Sequence, residues 1–311
     1  MSLTAVESLH RMETPANLVT AEGWARAHKW ALAVTGALVL ILYATNFVKL
    51  FGDWTIDPNY SHGFFVPLAF FWMLWQTRGQ LAAVKVAPRS WGLAIVVLAL
   101  LQLAAGTLGA ENFIAHSSLL LLLCGIVLFL FGTEMMRLVA FPIGWLLFMI
   151  PLPSIIFYSL TIPLQLLASK LAVGLLDLVR VPVVSEGNVL YLANFTAGVA
   201  EACSGIRSLI SMLAFAVLIG YLLHMSLRSR LILAVTAVPI ALGMNAARIA
   251  GTGIAGNYLG ARWAEGFFHT FSGWLLFLLS LGIMMGVVRI LQRWDRKDQK
   301  RRKSSGKKKP E

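Results

Sequence analysis

Eight apolar runs, most of them about as long as a bilayer is thick, divide the chain and restrict what it can fold into. A helix needs about 20 apolar residues to cross the hydrocarbon core. With 58% hydrophobic and 13% charged residues, the composition is typical of an integral membrane protein rather than a soluble domain. The predicted fold class is all-α and polytopic, with about eight transmembrane helices at 30–50, 63–77, 91–108, 113–131, 138–158, 203–222, 231–254 and 270–291.

The segments outside these runs are short and predict a simple domain organisation. Residues 1–29 form a cytoplasmic N-terminal segment, 30–291 a single transmembrane domain and 292–311 a basic cytoplasmic tail. From Arg289 onwards, eleven Lys or Arg face three acidic residues, which accounts for eight of the twelve net positive charges. Directly after a span, such a tail indicates cytoplasmic retention and contact with the anionic lipid bilayer, and no nucleic-acid binding is expected.

Charge in the loops predicts the orientation, because short loops rich in Lys and Arg stay in the cytoplasm. Loops 78–90 and 223–230 carry such residues, whereas loop 51–62 carries two Asp and no Lys or Arg. Both termini are therefore predicted to be cytoplasmic. The same parity allows one crossing at 138–158, so residues 161–180, with a polar stripe among leucines, are expected as one interfacial helix on the outer face.

Three costly polar residues fall at the outer ends of three late spans. Cys203 and His269 begin their spans from outside, and Arg248 lies about two turns from the outer end of the span between them. A polar residue at membrane depth is a functional candidate by default. We therefore expect these three residues at one depth on one side, with Asn245, three residues before the arginine, sharing its helix face.

These residue types together indicate nucleophilic catalysis. A helix N-terminus and a nearby cation favour the thiolate form of Cys203, which is the nucleophilic form. His269 suits proton transfer to a leaving amine, and Arg248 suits stabilisation of an oxyanion. Arg207 is a second candidate for the arginine role, although an arginine near a span end often simply extends to the interface. Each residue alone is also compatible with a packing role.

Further residues are predicted as supporting members of the site. His62 lies at the outer start of the second span, and Glu201 precedes the cysteine by two positions. No spacing of His, Cys, Asp or Glu resembles a metal site, so neither a metal nor another cofactor is expected. Acidic residues are absent from the predicted spans, which argues against a proton-coupled transporter. A non-enzymatic membrane protein, either a transporter or a component of exopolysaccharide export, remains the alternative.

The sequence resembles the exosortase/archaeosortase family of polytopic membrane cysteine enzymes. The resemblance starts at Tyr60-Ser-His-Gly63 and is carried mainly by three blocks, whose order is more specific than any one of them. The family's Cys, Arg and His fall on Cys203, Arg248 and His269. The blocks are Val199-Ala-Glu-Ala-Cys-Ser-Gly-Ile-Arg-Ser208, Asn245-Ala-Ala-Arg248 and His269 with Gly273.

The resemblance implies a thiol protease and probable-class transpeptidase of a Gram-negative inner membrane, with its active site facing the periplasm. Its partners would be exported proteins that end in a Pro-Glu-Pro (PEP-CTERM) motif, a transmembrane helix and a basic tail. Cleavage would form a thioester on the cysteine, which a second nucleophile resolves. Residues 185–202, with a turn at Asn194, are expected to form a short outer hairpin that receives an extended substrate.

Overall fold

Helices make up most of the described chain, as expected where each apolar run must satisfy its own backbone groups. The computed structural model describes residues 19–198, 205–262 and 267–306, with the side chains of 267–270 and 299–306 outside the description. The chain divides into two compact units, residues 1–151 and 152–311.

Five of the described helices are long and apolar enough to cross a membrane. They are Trp91–Leu108, Asn112–Leu130, Ser154–Leu178, Leu227–Leu259 and Phe271–Asp298. The pair Ala21–Ala27 and Lys29–Leu42, bent by 84°, would be a sixth. The all-α multi-pass class is confirmed, while the number of eight spans and the cytoplasmic termini stay predictions.

The first unit contains eight helices among its described residues. They are α1 (Ala21–Ala27), α2 (Lys29–Leu42), α3 (Ala44–Ile56), α4 (Phe65–Gln76), α5 (Arg78–Ala83), α6 (Trp91–Leu108), α7 (Asn112–Leu130) and α8 (Thr133–Trp145). Short 3-10 helices at Pro58–Phe64 and Leu146–Met149 precede α4 and follow α8. The bounds predicted for α6 and α7 agree with the structure to within one residue at each end.

Small residues bring α6 and α7 into close contact. A Cβ on Gly92 would overlap the backbone of Phe129, and a Cβ on Gly125 would lie 2.8 Å from the nitrogen of Val96. Lipid tails are as apolar as leucine, so helices in a membrane associate through such close packing rather than through hydrophobic burial. The two glycines therefore explain why these two helices pair.

The predicted first span, 30–50, is wrong as a single helix. The structure interrupts it at Tyr43, between α2 and α3. The Tyr43 side chain is fully buried, and its hydroxyl lies 2.6 Å from the Ser118 hydroxyl of α7. A buried phenol requires a hydrogen-bond partner, and Ser118 supplies one.

The predicted span 138–158 is also wrong, because the helix breaks earlier than Tyr158. Helix α8 and its 3-10 continuation end at Met149, and the next helix, α9 (Ser154–Leu178), begins only at Ser154. Pro151 and Pro153 disfavour helical backbone at the residues before them, which places the break between the two helices.

The predicted interfacial helix 161–180 is instead part of α9, a candidate span of 25 residues. The polar stripe was assigned to the wrong side: Gln165 and Ser169 are buried, while Leu167 and Leu171 are exposed. An interfacial helix turns its polar face to water. Here the polar residues face protein and the leucines face outward, as on a helix that contacts lipid.

The second unit is built around one long central helix. Its described elements are α9, β1 (Val183–Glu186), β2 (Val189–Leu192), β3 (Thr196–Gly198), α10 (Ile206–Leu222), α11 (Leu227–Leu259) and α12 (Phe267–Gly306). Helix α11 packs against α9, α10 and α12. One apolar cluster joins it to α9 and the sheet, and another joins it to α10 and α12.

The predicted outer hairpin is confirmed and has one further strand. The three strands form an antiparallel sheet in the order β1-β2-β3, and the second turn contains Asn194. Leu190 and Leu192 are buried against the helices. The sheet therefore lies on α9 and α11 and ends at Gly198, shortly before the segment that carries Cys203.

Candidate active site

The structure describes only part of the predicted site. Arg248, Asn245, Arg207 and His62 are described with their side chains. Cys203 and Glu201 lie outside the described residues. His269 lies in the first turn of α12, and its side chain is outside the description. The site is therefore built from the residues that flank these positions.

Asn245 contacts the residue at which α10 begins. Gly205 is the N-cap of α10, with a left-handed backbone at φ +74° that favours glycine. A Cβ added to Gly205 would lie 3.1 Å from both Cγ and Nδ2 of Asn245. The Asn245 side chain is only 5% exposed, so its amide packs closely on the glycine. Gly205 follows Cys203 by two positions.

Arg248 contacts the helix that carries His269. Its Nη1 lies 3.5 Å from the position that a Cβ on Gly273 would occupy. Gly273 is one helical turn after His269 on α12, and the absence of a side chain there leaves room for the guanidinium. Helix α11 also continues five residues beyond its predicted end, so Arg248 lies about three turns from that end rather than two.

Asn245 and Arg248 are one turn apart on α11, and each contacts a glycine of a different helix. The first glycine follows the predicted nucleophile by two residues, and the second follows the predicted acid–base histidine by four. Helix α11 therefore brings all three motif blocks of the sequence into the same region of the second unit.

A small cavity of about 20 Å³ lies beside these residues. Its polar lining comes from Ser208, Asn245, Arg248 and Ser280. This volume accommodates one water molecule, which is stable where it has two or more polar partners. Ser280 was not singled out in the sequence, although it lies seven residues after Gly273 and hence on the same face of α12.

Arg207 is half-buried in the first turn of α10, directly before the cavity-lining Ser208. It is thus close in sequence to the same region as Arg248. Arg248 has the contact with α12, and this contact favours it for the role next to His269. Arg207 stays a candidate for the second arginine role.

Two asparagines fix the sheet to the end of α11. The backbone N–H of Asn194 donates to Asn257 Oδ1 at 3.0 Å, and Asn194 Nδ2 donates to the carbonyl of Asn257 at 3.3 Å. A Cβ on Gly256 would overlap the ring of Phe195, so the sheet packs closely here. The helix that carries Arg248 therefore also holds the β2–β3 turn.

His62 belongs to the first unit and has a structural role there. Its Nε2 donates to the carbonyl of Phe148 at 3.1 Å, and the Trp54 indole donates to the carbonyl of Met149 at 2.9 Å. Burial lowers the pKa of His62, while hydrogen bonds to backbone carbonyls of Phe148 and Asn59 oppose this change. Its membership of the active site stays a prediction.

A helical membrane protein with several spans, and with buried arginine and asparagine at a junction of three helices, is the class that this fold defines. The chain belongs to the transmembrane exosortase family, whose model matches residues 54–286 and so includes all three motif blocks. The resemblance seen in the sequence is confirmed. No curated protein and no solved structure matches the chain.

Proposed function

We propose that the protein is a cysteine peptidase and transpeptidase of the inner membrane. It cleaves the C-terminal sorting signal of exported proteins, a Pro-Glu-Pro motif followed by a transmembrane helix and a basic tail, at the periplasmic face. The contacts of Asn245 with Gly205 and of Arg248 with Gly273 carry this proposal, because they join the helix of the arginine to the two segments that bear the cysteine and the histidine.

The reaction starts from a Cys203 thiolate and a protonated His269. The thiolate attacks the carbonyl carbon of the scissile peptide and forms a tetrahedral oxyanion. As the C–N bond breaks, His269 gives its proton to the leaving amine, and a thioester remains on Cys203. An acceptor amine or water then attacks the thioester, its proton passes to His269, and the thiolate is released.

Arg248 stabilises the oxyanion in both steps. Its guanidinium cannot lose its charge in a protein and offers several N–H donors in a fixed plane. A donor in a water-poor site is worth about 2.7–4 kcal/mol to an acyl-transfer transition state. The contact with Gly273 supports this role, because it holds the guanidinium one turn from His269 along α12.

The sheet supplies a surface for an extended substrate. The N–H of Leu192 donates to the carbonyl of Phe195, so these residues form a hydrogen-bonded pair, and such pairs alternate along an antiparallel ladder. Ala197 is therefore bonded to β2, while the backbone groups of Thr196 and Gly198 point away from it. A peptide that pairs with this edge of β3 would lie beside the segment leading to Cys203.

Co-expression with a tagged protein that ends in a Pro-Glu-Pro sorting signal tests the proposal. Gel mobility in membranes should show a shortened substrate with the wild-type enzyme and full-length substrate with Cys203→Ala. Cys124→Ala is the matched control, since Cys124 lies in the middle of α7. Equal processing by wild type and Cys203→Ala would refute a cysteine mechanism, and no processing by the wild type would favour a non-enzymatic role in export.

A further inference from the structure

We infer that Asn245 is a positioning residue, which holds the turn between the nucleophile and α10 in its working geometry. This inference rests on the proposed function of Cys203. Asn245 is three residues from Arg248, and its side chain packs on Gly205 rather than on the last helix. Its role is therefore separate from the charge that Arg248 supplies.

The contact at Gly205 is unusually restrictive. The distances of 3.1 to 3.2 Å from a Cβ on Gly205 to three atoms of Asn245 leave no room for a side chain there. The left-handed φ of Gly205 adds a second restriction, because other residues rarely adopt it. Shape and backbone conformation thus both require a glycine under the amide.

Helix α10 depends on this turn, because Gly205 provides its N-cap without a side-chain hydrogen bond. The first N–H groups of a helix have no partner within the helix, and together with the helix dipole they favour an anion. A thiolate three residues before Ile206 gains from this effect only if the turn directs it towards those groups. Asn245 supplies the surface against which the turn is fixed.

Helix α11 is itself well held in this region. Ala246 and Ile249, on either side of the asparagine, are almost fully buried. Because α11 also packs against α9 and α12, the amide of Asn245 is presented from a rigid element. A residue on a rigid element positions a reacting group more accurately than a residue in a loop does.

Removal of the amide tests this role by the reactivity of Cys203. In a Cys124→Ala background, a membrane-impermeant maleimide reports on Cys203, and its labelling rate against pH gives the fraction of thiolate. In Asn245→Ala the half-maximal labelling should move to higher pH, and kcat for processing should fall by about 100-fold with KM little changed. Gly243→Ala is the control on the same helix, since a Cβ there meets nothing within 4 Å.

A double variant tests whether Asn245 acts through Gly205. Gly205→Ala alone should also slow processing, and the pair Gly205→Ala/Asn245→Ala should be no slower than the slower single variant, because both changes act on one contact. If the two losses multiply, or if Asn245→Ala keeps the wild-type labelling profile, the inference is wrong. If Asn245→Ala does not accumulate in membranes, Asn245→Ser takes its place with the same expected result.

The two readouts separate this inference from the proposed function. Labelling of Cys203 needs no substrate, so a changed labelling profile in Asn245→Ala would support the positioning role even if the wild type cleaved no sorting signal. Processing by the wild type with an unchanged profile in Asn245→Ala would keep the proposed function and overturn the positioning role.

Discussion

The contact between Arg248 and Gly273 makes a graded prediction. A Cβ at residue 273 would lie 3.5 Å from Arg248 Nη1, which is ordinary van der Waals contact. Gly273→Ala should therefore be tolerated, and it should gain up to about 1 kcal/mol of helix propensity. A leucine reaches about 2.5 Å beyond its Cβ, so Gly273→Leu must displace the guanidinium.

If Arg248 stabilises the oxyanion, this displacement should lower kcat by about 100- to 1,000-fold, the usual loss for an oxyanion donor. The assay is the conversion of a tagged sorting-signal substrate in membranes, with enzyme abundance measured in parallel. Gly282→Ala and Gly282→Leu are the matched controls, because a Cβ at that position on α12 meets nothing within 4 Å. Wild-type processing by Gly273→Leu, or an equal loss in Gly282→Leu, would refute the reasoning.

Three further predictions concern stability in detergent. Asp295→Ala should destabilise the fold by about 1 kcal/mol, because the carboxylate accepts hydrogen bonds from the backbone N–H and hydroxyl of Ser226, the N-cap of α11. Gly63→Ala should lower the melting temperature, because its Cβ would overlap the Trp54 indole and break the bond of that ring to a backbone carbonyl. The lowered pKa of His62 means that the unfolded chain takes up a proton before the folded protein does, so stability should fall as pH drops below the ordinary value of 6.5.

Each of these measurements has a matched control. Asp298→Ala removes an exposed carboxylate from the same helix and should leave the melting temperature unchanged. Gly52→Ala adds a Cβ that meets nothing within 4 Å. In His62→Gln, the loss of stability between about pH 7.5 and about pH 5.5 should be smaller than in the wild type. An identical loss in both would show that another group is responsible.

The antiparallel pair α6 and α7 shows how much the sequence predicts when a signal is local. Each helix is a continuous apolar run, and the turn between them contains Gly109 and Glu111. The Glu111 side chain accepts a hydrogen bond from the N–H of Ile114 at 2.9 Å and so caps α7. Composition, length and a capping residue are all readable from the chain, and they predicted both helices almost to the residue.

Helix α9 shows where the same reasoning fails. The stripe of Gln165 and Ser169 among leucines has the same period whether the polar face meets water or protein. Hydropathy alone does not distinguish these two cases, because lipid reverses the usual arrangement and leaves leucines outside. The packing of α9 on α11 decided that the polar face is buried.

The candidate site divides in the same way. The sequence by itself determined the membrane class, the family and the residue types at the site, because apolar length and motif order are properties of the chain. Only the tertiary structure decided that Asn245 packs on Gly205 while Arg248 reaches Gly273. A glycine carries no side-chain signal, so its role depends on the neighbour that occupies the space it leaves, and that neighbour is set by how three helices pack.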